Sequence, residues 1–432
     1  MESIARKAGS RQAVADRELG VVVGIDISKR WVDYGVYGHG WREGVRRAVQ
    51  DAAGFAQVEA TLERLKEAGH EVWVGLEPTG PYGACLEEWL RERGWRVVQV
   101  NPYHVKRTKE VRDNSPGKSD RKDAGVIADL VWQGCYQQPV RLEGVYAQLR
   151  AASAEWVSLG RKRTAAGNEF QALLQVWFPE LVSIFRERTC QTVRGIVRRY
   201  RGVEAMVRAG RGSLGRTVKR ASRGSACRRV EAIWQAAKTS VALTTGQEAR
   251  RGAMLGLLDL LEVIERRQQE LKGEMGQWLW QLEEGECLRS VPGCGVVTVA
   301  GLIGECGDLA DYRSHAALEK FVGLNLYEVS SGQHRGRCRV SKRGRARARY
   351  LLGHMALLQM REGGLWHEWA QSLKAKGKRT GEIRVAVARK LLALLYAMAR
   401  DRAVYDAARF LTGVGTADGP VIQEGAPAKL AA

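Results

Sequence analysis

The chain has 432 residues, enough for roughly two to three domains and a sizeable buried core. With 45% hydrophobic and 27% charged residues it is globular rather than disordered. Its 69 Lys and Arg against 48 Asp and Glu leave a formal charge of +21 and a pI near 9.9, which disfavours a small neutral substrate and favours a polyanionic partner.

Residues 1–19 read as a flexible tail. Over residues 20–137, strand and helix patterns alternate. VVVGIDI at 21–27 is a continuous apolar run ending in an acid, as a buried central strand would be. WVDYGVYG at 31–38 and a basic strand near 43–49 follow as a meander. A helical stretch at 52–68 leads into EVWVGLE at 71–77, a Pro-Thr-Gly turn and another helix. RVVQVN at 96–101 is the next strand, followed by a helix from about 120. Strands first in a meander and then alternating with helices indicate a mixed α/β sheet with helices on its faces.

From Leu142 the period changes. Leu142, Val145, Leu149, Ala152, Trp156, Leu159, Ala166, Phe170, Leu173 and Trp177 fall on one heptad seam, with Arg163 the offender, until Pro179 stops the helix. Leu257, Leu261, Ile264, Leu271, Met275, Trp278 and Leu282 form a second seam, broken by Gln268. Residues 138–284 are thus a helical, coiled-coil region whose two long helices suit either an antiparallel pair or a dimer. Between them lies a basic arm at about 180–250. Its stretch 191–230 holds twelve Lys and Arg and one acid, Glu204. It is expected to be mobile, solvated and suited to phosphate contact, a charge run otherwise being a plain solvated surface.

Residues 285–412 open with LRSVPGCGVVTVAGLIGE at 288–305, a helix-hairpin-helix-like pattern whose glycines would let backbone N–H groups approach a phosphate. The stretch RGRCRVSKRGRARAR at 335–349, with eight Lys and Arg and no acid, reads as a basic loop. A mainly helical end follows, and 413–432 form a second flexible tail. The longest apolar run there, Leu391 to Ala399, is about half of the ~20 residues that span a bilayer, so a core helix is expected. The start MESIARKAGS lacks a signal-peptide core, and the eight cysteines form no CxxC pair. Together these features imply a reduced, cytoplasmic protein without structural disulfides and without a membrane partner.

Cleaving phosphodiesters with divalent metal requires several carboxylates converging on hard cations. Asp26 ends the first core strand, Glu77 ends another at its turn, and Asp120 and Asp123 stand i, i+3 at a helix start, able to point to one side. Each also suits a plain structural role: a turn acid, a strand-end charge, an N-cap and a helix-dipole acid. Their combination in so basic a chain is what makes them candidates.

VGIDISK, GLEPTGPYG, Asn101-Pro102 and KSDRKDA resemble the blocks of the DEDD-type insertion-sequence transposases related to the Piv DNA invertase. VPGCG, KFVGLN, SSG and VSKRG resemble the second domain of that family. The resemblance runs in order from about 20 to 405. It implies a RuvC-like (RNase H-like) domain over 20–137, with Mg2+ or Mn2+ held by Asp26, Glu77, Asp120 and Asp123. It further implies a C-terminal transposase domain with a serine nucleophile at Ser331, beside its neighbour Ser330, and a covalent phosphoserine intermediate. Arg335, Arg337 and Arg339 would stabilise charge on the phosphate, and Lys342, Arg343 and Arg345 would bind nucleic-acid backbone. His334 is nearby, but the metal is the expected activator of the serine. The partners implied are double-stranded donor and target DNA, a structured non-coding bridge RNA that pairs with both, and further copies of the chain as a homodimer or homotetramer. The setting implied is a bacterial or archaeal cytoplasm, on the nucleoid. The stretch at about 180–250 departs from shorter members as an insertion. Two other readings stand beside this one: a RuvC-like nuclease in which water attacks, and a non-catalytic nucleic-acid-binding protein.

Overall fold

A computed structural model describes residues 20–38, 40–78, 80, 82–113, 120–138, 142–328 and 338–408, so both expected tails lie outside the described residues. The chain divides into two compact units, residues 1–141 with 311–317, and 142–310 with 318–432.

The first unit is a mixed sheet with helices on both faces. Strand β1 (Val21–Ile27) pairs antiparallel with β2 (Trp31–Gly38), which pairs with the short β3 (Trp41–Arg42) and with β4 (Arg46–Val49). Helix α1 (Ala52–Glu67) starts at Asp51, whose carboxylate accepts from the Gly54 N–H at 2.8 Å. Strand β5 (Val72–Leu76) then lies parallel to β1, and helix α2 (Ala84–Glu92) leads to β6 (Arg96–Val100), parallel to β5. Helices α3 (Pro102–Asp113) and α4 (Asp120–Trp132) follow, and β7 (Tyr136–Gln137) closes the edge in the order β3-β2-β1-β5-β6-β7, with β4 on β2. Alternation sorts the two faces. Val21, Val23, Ile25 and Ile27 pack with Phe55, Val58 and Leu62 of α1 and Leu86 and Leu90 of α2. Val22, Trp73, Val98 and Val100 face Val105 of α3 and Ile127 and Val131 of α4. Helix α3 is absent from the sequence reading: its mean hydropathy is low and only Val105 and the residues beside it mark a buried side.

The second unit is helical. Helix α5 (Gly144–Trp177) is followed by α6 (Pro179–Ile184), α7 (Gln191–Arg199), α8 (Val203–Ser222), α9 (Val230–Lys238) and α10 (Gln247–Leu279). The long helices α5 and α10 pack antiparallel against each other, with Arg267 paired to Glu155 at 2.8 Å and Arg163 to Glu265 at 3.3 Å across them. On α10 the buried positions are Met254, Leu258, Leu261, Ile264, Leu271, Met275 and Leu279, one residue off the expected seam at two points, Leu258 for Leu257 and Leu279 for Trp278. The seams thus find apolar cover within one chain and by themselves call for no second subunit.

The segment expected to be a mobile arm is instead folded. Val193, Ile196, Val197, Met206, Leu214 and Val218 are buried with Phe170, Trp177, Phe178 and Phe185 in one core. These apolar residues recur at helical spacing among the arginines, a signal that the count of charges hid. Helix α8 bends at Gly210, whose φ of +82° breaks the helical run.

The remainder comprises α11 (Glu283–Arg289), α12 (Val296–Cys306), α13 (His315–Val322), strands β8 (Leu326–Tyr327) and β9 (Arg339–Val340), then α14 (Ala346–Gln359), α15 (His367–Ala375) and α16 (Thr380–Asp401). A Cβ at Gly304 would stand 2.6 Å from the Arg150 backbone nitrogen, so this glycine lets α12 press against α5. The basic stretch 335–349 is not wholly a loop: it contains β9 and the first turn of α14, where Arg347 pairs with the buried Glu305 at 2.7 Å. The run Leu391 to Ala399 lies in α16, with Leu391, Leu392, Leu395 and Ala399 buried. No described helix is long and apolar enough to cross a membrane, and all eight cysteines are free.

Arg194 ties the folded insertion to α10. It is buried and donates to Glu265 at 3.0 and 2.8 Å and to the Thr189 carbonyl at 2.6 Å. The Arg194 hydrogen bonds hold the Glu265 carboxyl below its ordinary range against the effect of burial. We predict that Arg194→Met lowers stability by about 2 kcal/mol in urea unfolding. That is below the ~3–5 kcal/mol of a fully buried pair, because Glu265 is 32% exposed. A depressed carboxylate stabilises fully above its unfolded pKa of about 4.3, and that stabilisation is lost as pH falls through the lower folded value. Wild type should therefore lose more stability on acidification than Glu265→Gln. Equal acid sensitivity of the two would exclude this role.

Candidate active site

Two rows cross the sheet of the first unit. Gly24 of β1 is in register with Gly35 of β2 and with Gly75 of β5, so three glycines stand side by side on one face. Helix α4 lies on them. A Cβ at Gly24 would come within 2.0 Å of the Ala124 carbonyl oxygen, and one at Gly75 within 2.6 Å of the Val131 side chain. Two residues along each strand, on the same face, stand acids. Asp26 is in register with Asp33 of β2. The β1–β5 pairing ends at Ile25 with Leu76, and Asp26 and Glu77 are the next residues of their two segments. Asp26 and Glu77 are both half-buried.

Like charges directly across a strand pair repel. Arg47 of β4, itself in register with Asp33, relieves this by clamping Asp33 from Nε to Oδ1 at 2.8 Å and from Nη2 to Oδ2 at 2.9 Å. The paired level therefore reads Asp26, Asp33, Arg47 across three strands. Asp33 is buried and Arg47 half exposed. Neither was singled out in the sequence, although Asp33-Tyr34-Gly35 mirrors Gly24-Ile25-Asp26 as an antiparallel neighbour must.

The close seat of α4 brings its first turn to the same end of the sheet. Asp123 adjoins Ala124, the residue whose carbonyl meets Gly24. It is buried at 5% exposure, its Oδ2 paired with Lys109 of α3 and its Oδ1 without a hydrogen-bond partner. Asp120 opens α4, but its side chain lies outside the described residues. Among the described residues no three His, Cys, Asp or Glu side chains are close enough to hold a metal ion. In donor chemistry the residues nonetheless suit a hard divalent cation: every candidate ligand is a carboxylate, and Asp123 Oδ1 is a buried acceptor lacking a donor.

Ser330, Ser331, His334, Arg335 and Arg337 lie outside the described residues. What flanks them is well held. β8 and β9 pair through Leu326 with Val340 and Tyr327 with Arg339, tying together the two ends of the segment that carries the serines. The Ser341 N–H donates to the Asn325 carbonyl at 2.9 Å and its hydroxyl to Asn325 Oδ1 at 2.5 Å. Gly344 passes so near Phe321 that a Cβ would lie 2.3 Å from its carbonyl oxygen. Arg339, Lys342 and Arg343 are exposed, whereas Arg345 is half-buried and stands 5.4 Å from the centre of the Phe321 ring. KFVGLN and VSKRG are thus one packed platform.

Comparison with known proteins places both regions. Residues 23–179 match the transposase model of the DEDD, IS110 type, and residues 285–371 match the transposase IS116/IS110/IS902 family. The insertion element IS110 uncharacterized 43.6 kDa protein of Streptomyces coelicolor is 24% identical over 396 residues, which cover 90% of this chain and 96% of that protein. The insertion element IS116 uncharacterized 44.8 kDa protein of Streptomyces clavuligerus is 24% identical over 89% of this chain and 95% of its own. The transposase for insertion sequence element IS1111A of Coxiella burnetii is 26% identical over 71% and 72%. With both halves of the pattern present in order, the chain belongs to the IS110 family of DEDD-type insertion-sequence transposases.

Proposed function

We propose that the protein cuts and rejoins the DNA strands of an insertion sequence using a carboxylate cluster of Asp26, Glu77, Asp120 and Asp123 and the hydroxyl of Ser331. Membership of the family supports a DNA substrate, strand transfer and dependence on a divalent metal. The observation that supports the carboxylate assignment is that Asp26 and Glu77 stand at the ends of the neighbouring paired strands on which α4 is seated, while Asp123 in the first turn of α4 keeps a buried oxygen without a donor. The bound cation, Mg2+ or Mn2+, would supply charge neutralisation at the scissile phosphate. These carboxylates would hold it, with Asp33 kept out of that set by its Arg47 clamp.

In this reading Ser331 Oγ bonds to phosphorus as the bond from phosphorus to the sugar oxygen breaks. The serine proton is given up and the departing sugar oxygen gains one. Rejoining reverses the step with the hydroxyl of another strand. One phosphate ester replaces another each time, so no high-energy cofactor is needed. The arginines beside Ser331 stabilise the charge on phosphate, while Arg339, Lys342, Arg343 and Arg345 serve nucleic-acid backbone. The resemblance supports a structured guide RNA pairing with donor and target, leaving sequence choice to base pairing. It also supports a homodimer or homotetramer in which the carboxylates of one subunit serve the serine of another.

Two outcomes are expected. Wild type quenched with denaturant in the presence of Mg2+ yields a protein–DNA adduct. Asp26→Ala, Glu77→Ala, Asp120→Ala, Asp123→Ala and Ser331→Ala each lose it by a factor of about 100 or more while staying folded, and Ser330→Ala keeps it. Cleavage without any adduct in wild type would favour attack by water, and full activity in all the carboxylate variants would remove the cluster. Secondly, mixing Asp26→Ala protein with Ser331→Ala protein, guide RNA and both DNAs restores cleavage at one site. Mixtures that exchange subunits by light scattering yet cut nothing would refute shared sites.

A further inference from the structure

The folded insertion between α5 and α10 carries its own charge pattern. On its α10 side the arginines are matched: Arg194 by Glu265, and Arg198 by Asp259 at 3.1 Å and Glu262 at 2.9 Å. Arg211 on α8 pairs with Glu231 of α9 at 2.7 Å. Towards the end of α8 this matching stops. Arg216, Lys219, Arg220 and Arg223 stand at i, i+3, i+4 and i+7, all exposed along one helical face. Arg228 and Arg229 follow on the 3-10 turn Cys227–Arg229.

These six cations surround two adjoining depressions of about 450 and 750 Å3, which share Arg220 and Arg223 and are lined by no carboxylate. The first turn of α7, Gln191 and Thr192, faces the larger one. Its N-cap, Cys190, makes no side-chain capping bond, so the positive end of that helix adds to the same field. A helix C-terminus alone attracts cations, which accounts for Lys219 and Arg220 but not for Arg228, nor for the loss of acids all round. Arg223 supplies a separate sign. It sits at the C-cap with φ +51°, a left-handed conformation that favours glycine, and lines both depressions. A long side chain held there costs backbone strain that glycine would avoid.

We propose that this concave face binds the phosphodiester backbone of a nucleic-acid strand. It is a second nucleic-acid site, in the helical unit, and does not depend on the carboxylate or serine assignments. Recognition is of the charged backbone by cations on a rigid helical frame, without reading of bases.

The test uses the full-length protein with two probes of equal charge, a random-sequence duplex DNA and a random-sequence RNA hairpin. Fluorescence anisotropy across a salt series compares wild type with Arg220→Gln/Arg223→Gln/Arg228→Gln. The triple variant is expected to bind at least one probe about ten-fold more weakly, with the salt slope on that probe reduced by about 0.7–0.9 for each cation removed. Loss on RNA alone assigns the site to RNA, loss on DNA alone to DNA, and loss on both to the shared backbone. Arg223→Gly guards against misfolding, since it removes a cation while easing the backbone. It should melt no lower than wild type and still bind more weakly. Unchanged affinity and slope on both probes would overturn the proposal. So would an equal loss in Arg198→Gln/Arg211→Gln, whose arginines are already paired.

Discussion

The seat of α4 on Gly24 and Gly75 is the contact on which the first unit turns. Any side chain at Gly24 would collide with the backbone of α4 at 2.0 Å, so the helix is held closer to the sheet than an ordinary apolar layer allows. Closeness has a consequence two residues further along. On the same face, Asp26 is paired in register with Asp33, and Glu77 directly follows the last β5 residue paired with β1. Acids directly across a strand pair would repel if left alone, and Arg47 answers by clamping Asp33, while Lys109 of α3 pairs with Asp123 at the start of α4.

The second unit handles the opposite sign by the same rule. Where arginines face α10 or α9, carboxylates meet them, and where they face outward at the end of α8, none do. Buried pairs such as Arg194 with Glu265 hold the insertion in place. The unmatched surface is the face proposed to meet a nucleic-acid backbone.

Much of this was legible in the residues. The run VVVGIDI gave its strand and its acid, GLE gave the next, and the heptad seams gave both long helices, because each signal is local and periodic. Three things were not. Asp33 with Arg47 and Lys109 with Asp123 depend on strand register and helix packing, which no local window contains. The insertion was read as a mobile arm because its arginines were counted and its buried Val193, Ile196, Leu214 and Val218 were not. The seams left an antiparallel pair and a second subunit equally open, because the partner helix lies about 100 residues away in the same chain. Ser331 lies outside the described residues, and its flanks, β8 and β9, are firmly paired.

The central claim is that Asp26, Glu77 and the start of α4 share one divalent cation. Iron-directed cleavage measures this without any turnover. Fe2+ bound in place of Mg2+ and treated with ascorbate and peroxide cuts the backbone beside its ligands. Cuts clustered near residues 26, 77 and 120–123, suppressed by Mg2+ and lost in Asp26→Asn, are the expected result. Cleavage confined to other segments, or a pattern that Asp26→Asn leaves unchanged, would contradict it.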